Sequence, residues 1–132
     1  MQVNLLHEII ISESDSCAGI SFRARSSRGN DYTFIICPNR KHVGHFAIQL
    51  DLDNYFQKVL ASGDTPAIHL GLNRWNLLAV VAYGSRMDFY INYQKVASVT
   101  DNALSSGQIG CTAWHLYTRN EVECSDAKVW LF

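Results

Sequence analysis

The stretch NRWNLLAVVAYGSRMDFYINYQKVASVTD, Asn73 to Asp101, decides the fold. Trp75, Leu78, Val80 and Ala82 read as core-facing positions of one strand, and Gly84-Ser85 turns the chain. Met87, Phe89 and Ile91 face the core from the next strand, Asn92-Tyr93 turns again, and a third strand runs through Val96. The pleat leaves Asp88 and Tyr90 on the opposite face of the middle strand, which is either a solvent side or a groove. No nucleophile stands near a base in this stretch. It reads as part of a surface that holds something rather than as a catalyst.

Outward from it, the same period of two recurs. VNLLHEIIIS, AGISFRAR, DYTFIIC, HFAIQLDL, NLLAVVAY, MDFYIN, VASVT, GQIGCTA and EVECSDAKVWLF are strand-length runs rich in β-branched and aromatic residues. Turn chemistry separates them, in SSRGND, PNRKHVG, ASGDTP, YGS, NYQ, DNALSSG and YTRN. Many short strands at this spacing predict an all-β sandwich or barrel, with Ile20, Phe22, Leu78, Val80, Phe89, Ile91, Ile109 and Val129 in its core. Only LDNYFQKVLASG fits a helical period, through Leu52, Tyr55, Phe56, Val59 and Leu60, and strand alternation fits it nearly as well. No linker or repeat interrupts the chain, so the expectation is one domain over residues 1–132.

A chain of 132 residues can bury a full core without staples. No apolar run approaches the roughly 20 residues of a membrane-spanning helix. Net charge is −1 and the densest basic cluster, Arg40-Lys41-His42, is short, which argues against nucleic acid as a partner. MQVNLLHEIII lacks the architecture of a signal peptide and reads as an immediate strand. The compartment stays unknown; it is extracellular or periplasmic if the chain is a piece of an exported protein. Cys17, Cys37, Cys111 and Cys124 show no metal-site spacing and are expected as reduced core thiols. The exception is a link between Cys111 and Cys124, if the last two strands form a hairpin in an oxidising compartment.

RWNLLAVVAYGSRMDFYINYQKVASVTD followed by SSGQIGCTA resembles the second half of laminin-G-like, concanavalin A-like jelly-roll domains. Trp75, Asn76, Leu78, Val80, Gly84, Phe89, Ile91, Asn92, Val96, Asp101, Gly107, Ile109 and Gly110 carry the likeness. In the first half, Gly19, Ile20, Phe22 and Arg23 of SCAGISFRAR resemble the opening strand of the same domains. The resemblance implies a two-sheet antiparallel jelly-roll sandwich, with or without the family's first strand. It says little about function, because this fold carries lectins, glycanases and adhesion modules alike.

Two departures stand out. Asn92-Tyr93 replaces the usual Asn-Gly turn and puts a bulky residue where positive φ is needed, so a longer turn or a displayed Tyr93 is expected. The absent first strand would also leave a sheet edge with unpaired backbone groups. Gln2 to Ser12 guards such an edge poorly, with Glu8 and His7 as its only polar charges. Its expected cover is internal pairing or a symmetric homodimer.

Retaining glycanases on this fold need two carboxylates about 5 Å apart. The nearest motif, SESDSCAG, offers Glu13 and Asp15 but has Cys17 and Ala18 where the last Glu belongs. Bacterial sugar hydrolases related to 3-keto-disaccharide hydrolases share the G-I-x-F-R and W-N segments. They then carry a Tyr-Glu-x-Gln pattern that DYTFIICP does not show. No catalytic residues are therefore assigned. His42 and His45, His69 and His115 give no metal spacing; DLDN, Asp51 to Asn54, has oxygen ligands without a calcium-loop pattern. No metal or cofactor is implied.

Recognition remains. Aromatic rings stack on sugars while polar side chains direct hydrogen bonds. Trp114, His115, Tyr117 and Arg119, with Asn120, form one candidate loop, in which Trp114 is either tucked against the sandwich or used. Arg23, Tyr32, Asp88 and Tyr90 are the candidates for a concave sheet face. Trp75 and Trp130 are assigned to packing. The expected function is a non-catalytic glycan-binding or adhesion module; the alternatives are a protein-interaction or dimerisation sandwich and a degenerate glycoside hydrolase.

Overall fold

A computed structural model describes residues 2–11, 17–25, 29–38, 43–53, 56–71, 74–114 and 122–131, with 2–11, 114 and 122–131 described through their backbone pairing. The described strands are β1 (Gln2–Ile11), β2 (Cys17–Ala24), β3 (Asp31–Cys37), β4 (Gly44–Leu52), β5 (Phe56–Thr65), β6 (Trp75–Tyr83), β7 (Arg86–Ile91), β8 (Gln94–Thr100), β9 (Gln108–Trp114) and β10 (Val122–Leu131). They form two antiparallel five-stranded sheets, in the orders β10-β1-β6-β7-β8 and β5-β4-β3-β2-β9. This is an all-β sandwich. No helix occurs among the described residues.

Period two decides which side chains meet. β7 buries Met87, Phe89 and Ile91 and turns Arg86, Asp88 and Tyr90 outward. β3 buries Tyr32, Phe34 and Ile36 against it. Phe34 meets the Phe89 ring edge-on at 5.0 Å, and Phe22 lies 6.0 Å from Phe89 and 5.4 Å from Tyr32. These rings couple the two sheets.

The turns follow the twist of the strands they join. Gly84 has φ 59° at the first turn position, which a Cβ would disfavour. Asn92 and Tyr93 have φ 48° and 69°, and Ile91 pairs directly with Gln94, so the turn is two residues long and not longer. Tyr93 is displayed, 87% exposed. An aromatic residue in the left-handed region costs about 1 kcal/mol. Tyr93→Gly is expected to raise stability by up to about 1 kcal/mol in denaturant unfolding, and a loss instead would show that the ring makes a stabilising contact.

The structure corrects several expectations. Of the two covers expected for β1, internal pairing is the one found, since β1 lies between β10 and β6 with Ile9 and Ile10 paired on both sides. The last two strands form no hairpin, because β9 pairs β2 in one sheet and β10 pairs β1 in the other. Phe56–Thr65 is strand, resolving the helical ambiguity and absorbing most of the expected ASGDTP turn. Ile109 is 42% exposed on edge strand β9 rather than core, and Trp75, 40% exposed, has the parity of the outward residues of β6. Val129 and Trp130 fall where side chains lie outside the described residues.

The described cysteines are not thiols. Cys17 and Cys37 are disulfide-bonded, 4.3 Å apart at Cα, across the pairing of β2 and β3. Cys111 is disulfide-bonded too, so no described cysteine is free. The side chain of Cys124, its expected partner, lies outside the described residues.

Candidate functional site

The four residues expected to line one face do not share one. Tyr32 is fully buried in the core, its hydroxyl bonded to Asp101 and accepting from the Leu104 backbone N–H at 3.3 Å. Burial, with the bond to Asp101, holds its phenol up at about 12. Arg23 sits at a bulge of β2 with φ 51°, which aims its guanidinium across the sandwich end. It donates to the carbonyls of Gly84 at 2.8 Å and Leu104 at 3.1 Å. Both residues clasp the loop after β8 to the opposite sheet. They are structural.

Asp88 and Tyr90 do lie outward, on the other sheet from Arg23 and Tyr32. Asp88 is already served. It accepts from Ser98 Oγ at 2.7 Å and pairs with Arg86 and Lys95, each at 3.5 Å. The Ser98 bond and these cations hold its carboxyl below the usual range. Trp114 ends β9 opposite Cys17 in register. Its side chain, and His115, Tyr117, Arg119 and Asn120, lie outside the described residues, as do Glu13, Asp15 and His42.

The outer face of the sheet β5-β4-β3-β2-β9 is different. Register aligns Ser21 with Thr33, Thr33 with Gln49, and Asp31 with Asp51 and Gln57, all with the parity that points away from the core. Beyond them come Gly19, Ile35, Ala47 and Ser62, and then Cys37, His45 and Asp64. Thr33, Ile35 and Ala47 are buried although they face outward, so this surface is sheltered. His45 bonds Asp64 at 2.9 Å at its far end.

The polar end holds groups without enough donors. Ser21 Oγ donates to Asp31 at 2.5 Å, and Thr33 Oγ1 reaches Asp51 at a long 3.5 Å. Asp51 Oδ1 and Gln49 Oε1 are shut off from solvent and have no hydrogen-bond partner. Burial first, then the adjoining Asp31 carboxyl, pushes the Asp51 carboxyl up to about 6. A bond between two carboxyls requires a proton on one of them. Without it the two carboxyls only accept, and the donors beside them are the Ser21 and Thr33 hydroxyls and the Gln57 amide.

Chemically, the patch suits a donor-rich ligand. The two carboxyls are register partners on β3 and β4, and the Asp31 carboxyl lies near enough to help raise that of Asp51. No group of three or more His, Cys, Asp or Glu converges among the described residues. The sequence shows DYTFIIC as a strand-length run and DLDN as a polar segment, and does not join them into one patch. The signal was present in Asp31/Thr33 and Gln49/Asp51, two polar pairs at period two, but only the register brings them side by side.

No protein-family model and no curated protein matches the chain. Its fold is similar to solved structures. A carbohydrate binding module CBM66 from Bacillus subtilis superposes with a TM-score of 0.79 at 19% identity, over 97% of this chain and 74% of that one. Sheep galectin-11, in complex with glycerol, gives 0.69 at 11% identity over 98% and 89%. An ancestral congerin gives 0.64 at 6% over 98% and 90%. These likenesses show the two-sheet β-sandwich fold.

Proposed function

We propose that this protein is a non-catalytic carbohydrate-binding module whose ligand lies on the outer face of the sheet β5-β4-β3-β2-β9. The observation that carries the reading is the row of polar side chains, Ser21, Asp31, Thr33, Gln49, Asp51 and Gln57, that the register sets side by side on this outer face. Hydroxyl, amide and carboxyl groups ranged on one face match the donors and acceptors of sugar hydroxyls. The fold's likeness to a carbohydrate-binding module and galectins supports the same reading. So does the sequence resemblance to laminin-G-like, concanavalin A-like domains, which we retain as the finer family assignment. Trp114, His115, Tyr117 and Arg119 are proposed as further contacts, because β9 ends at this face.

The competing face is that of β6, β7 and β8, where Trp75, Tyr83 and Tyr90 accompany Asp88. Its acceptor is already satisfied, which disfavours it. A printed glycan panel separates the two faces. Gln49→Leu is expected to weaken binding at least about tenfold, or about 1.4 kcal/mol, while Trp75→Ala leaves it unchanged. The reverse result would move the site to the other sheet, and no binding by wild type would defeat the lectin reading.

One observation favours a second reading, a protein-interaction module. Edge strand β5 exposes Phe56 (50%) and Val59 (55%), and its outer backbone edge faces no described strand. Mass that grows with concentration in a dilution series, and falls back in Val59→Lys, would support it.

A further inference from the structure

We propose that the Cys17–Cys37 disulfide is a thiol-exchange site: a low-molecular-weight thiol such as glutathione adds at Cys17 Sγ, and Cys37 leaves as a thiolate beside the His45–Asp64 pair. This exchange is independent of the lectin reading.

The strand register builds the site. Cys37 pairs with His45 and His45 with Asp64, so one row runs from Cys17 on β2 through Cys37 on β3 and His45 on β4 to Asp64 on β5. The next row, Ala18, Ile36 and Phe46, belongs to the core, so the first row faces outward. Directly opposed side chains on antiparallel strands stand about 4.5–5.5 Å apart at Cβ, which puts the His45 ring within reach of Cys37 Sγ. His45 Nδ1 bonds Asp64 Oδ1 at 2.9 Å. An ionised carboxylate only accepts, so Nδ1 carries the hydrogen and Nε2 is left to take a proton.

The two sulfurs are not equivalent. Cys17 is partly exposed at the start of β2, whereas Cys37 is buried. An incoming nucleophile therefore meets Cys17 first. Exchange is faster when the departing sulfur is the more stable thiolate, and an adjoining imidazolium makes Cys37 that sulfur. The disulfide of Cys111 is the contrast. Its register row runs through Ile20, Phe34 and Ile48 and brings no histidine beside it.

The incoming thiol gives its proton to His45 Nε2, and its thiolate attacks Cys17 Sγ. The bond between Cys17 Sγ and Cys37 Sγ breaks, and its electron pair stays on Cys37 Sγ. Cys17 then carries the thiol as a mixed disulfide, and one S–S bond has replaced another with no net oxidation or reduction. The products are an imidazolium and a thiolate side by side, with the Asp64 carboxylate behind the ring.

The test is timed exposure of the whole chain to glutathione without denaturant, followed by alkylation with iodoacetamide and peptide mass mapping. In wild type the first product should carry glutathione on Cys17 and the alkyl group on Cys37. His45→Gln should form it about tenfold more slowly, because the departing thiolate loses its counter-charge. Asp64→Asn, on an exposed position of edge strand β5, should slow it too, and it carries the test if His45→Gln fails to fold. The disulfide of Cys111 should open at its wild-type rate in both variants. Glutathione found first on Cys37, or a His45→Gln rate equal to wild type, overturns the proposal. So does a His45→Gln variant in which both disulfides open faster, since His45 would then only brace the strands. A Cys17–Cys37 bond that opens in urea alone overturns it as well.

Discussion

Phe89→Ala is expected to lower the unfolding free energy by about 3–5 kcal/mol, measured by urea denaturation. Phe89 is fully buried at the middle of β7, and its ring touches Phe34 and Phe22 of the facing sheet. Truncation removes the ring's transfer energy and leaves a cavity between two sheets that strand pairing holds apart. Neither sheet can collapse into it without breaking register. Ile109→Ala is the matched contrast. Its side chain is partly exposed on edge strand β9, and its loss is expected at about 1 kcal/mol or less. A loss for Phe89→Ala below about 1 kcal/mol would show that this ring does not bridge the sheets.

That pair of substitutions also marks what the sequence could reveal. Alternation within one strand is local, and it correctly buried Ile20, Phe22, Leu78, Val80, Phe89 and Ile91. Ile109 obeys the same alternation. Its strand sits at a sheet edge beyond the bulge at Ser21/Ala24, however, and the parity of an edge strand does not guarantee cover. Trp75 was drawn inward by its hydrophobicity, against its own parity. Strand partners were harder. β9 and β10 are consecutive strands only seven residues apart in sequence, the usual mark of a hairpin, yet they join different sheets. Nothing local encodes that choice. The Asp31–Asp51 pair depends on it fully, because the two carboxyls are twenty positions apart and meet only through the β3–β4 register.

The motif residues that suggested a family turn out to hold the sandwich together at its ends. At one end Arg23, Tyr32, Gly84 and Asp101 form a single clasp. Asp101 bonds Tyr32 through its side chain, the Ala103 N–H at 3.0 Å and, through its own N–H, the Ser85 carbonyl at 2.9 Å. Gly107 passes so close to β2 that a Cβ there would sit 2.4 Å from the Ala24 carbonyl oxygen. A fold signature of this kind is legible from sequence because each member has one structural task. It is silent on ligand for the same reason: its side chains are already engaged.

The other end gives the second large effect. Asn76 is buried, and its amide is the junction of three segments. Its Oδ1 accepts from the His69 N–H at 2.8 Å and from Asn92 Nδ2 at 2.9 Å, while its Nδ2 donates to the His69 carbonyl at 3.2 Å. Asn92 extends the junction, donating to the Ala67 carbonyl and accepting from the Leu77 N–H, each at 2.9 Å. The loop after β5, the start of β6 and the β7–β8 turn are thus tied by two amides. Asn76→Ala leaves two backbone groups and one amide short of a partner, and should cost about 3–5 kcal/mol. Asn76→Asp separates hydrogen bonding from packing. Protonated, a carboxyl can both accept from the His69 N–H and donate to its carbonyl; ionised, it meets that carbonyl with no donor and is buried besides. Its folded pKa is then raised, so its stability is greatest at low pH and is lost as pH rises through that pKa. Denaturation midpoints of Asn76→Asp and wild type should therefore diverge between pH 4 and pH 8, with the variant weakest at pH 8. Midpoints that stay parallel across that range would show that the His69 carbonyl does not need the Asn76 donor.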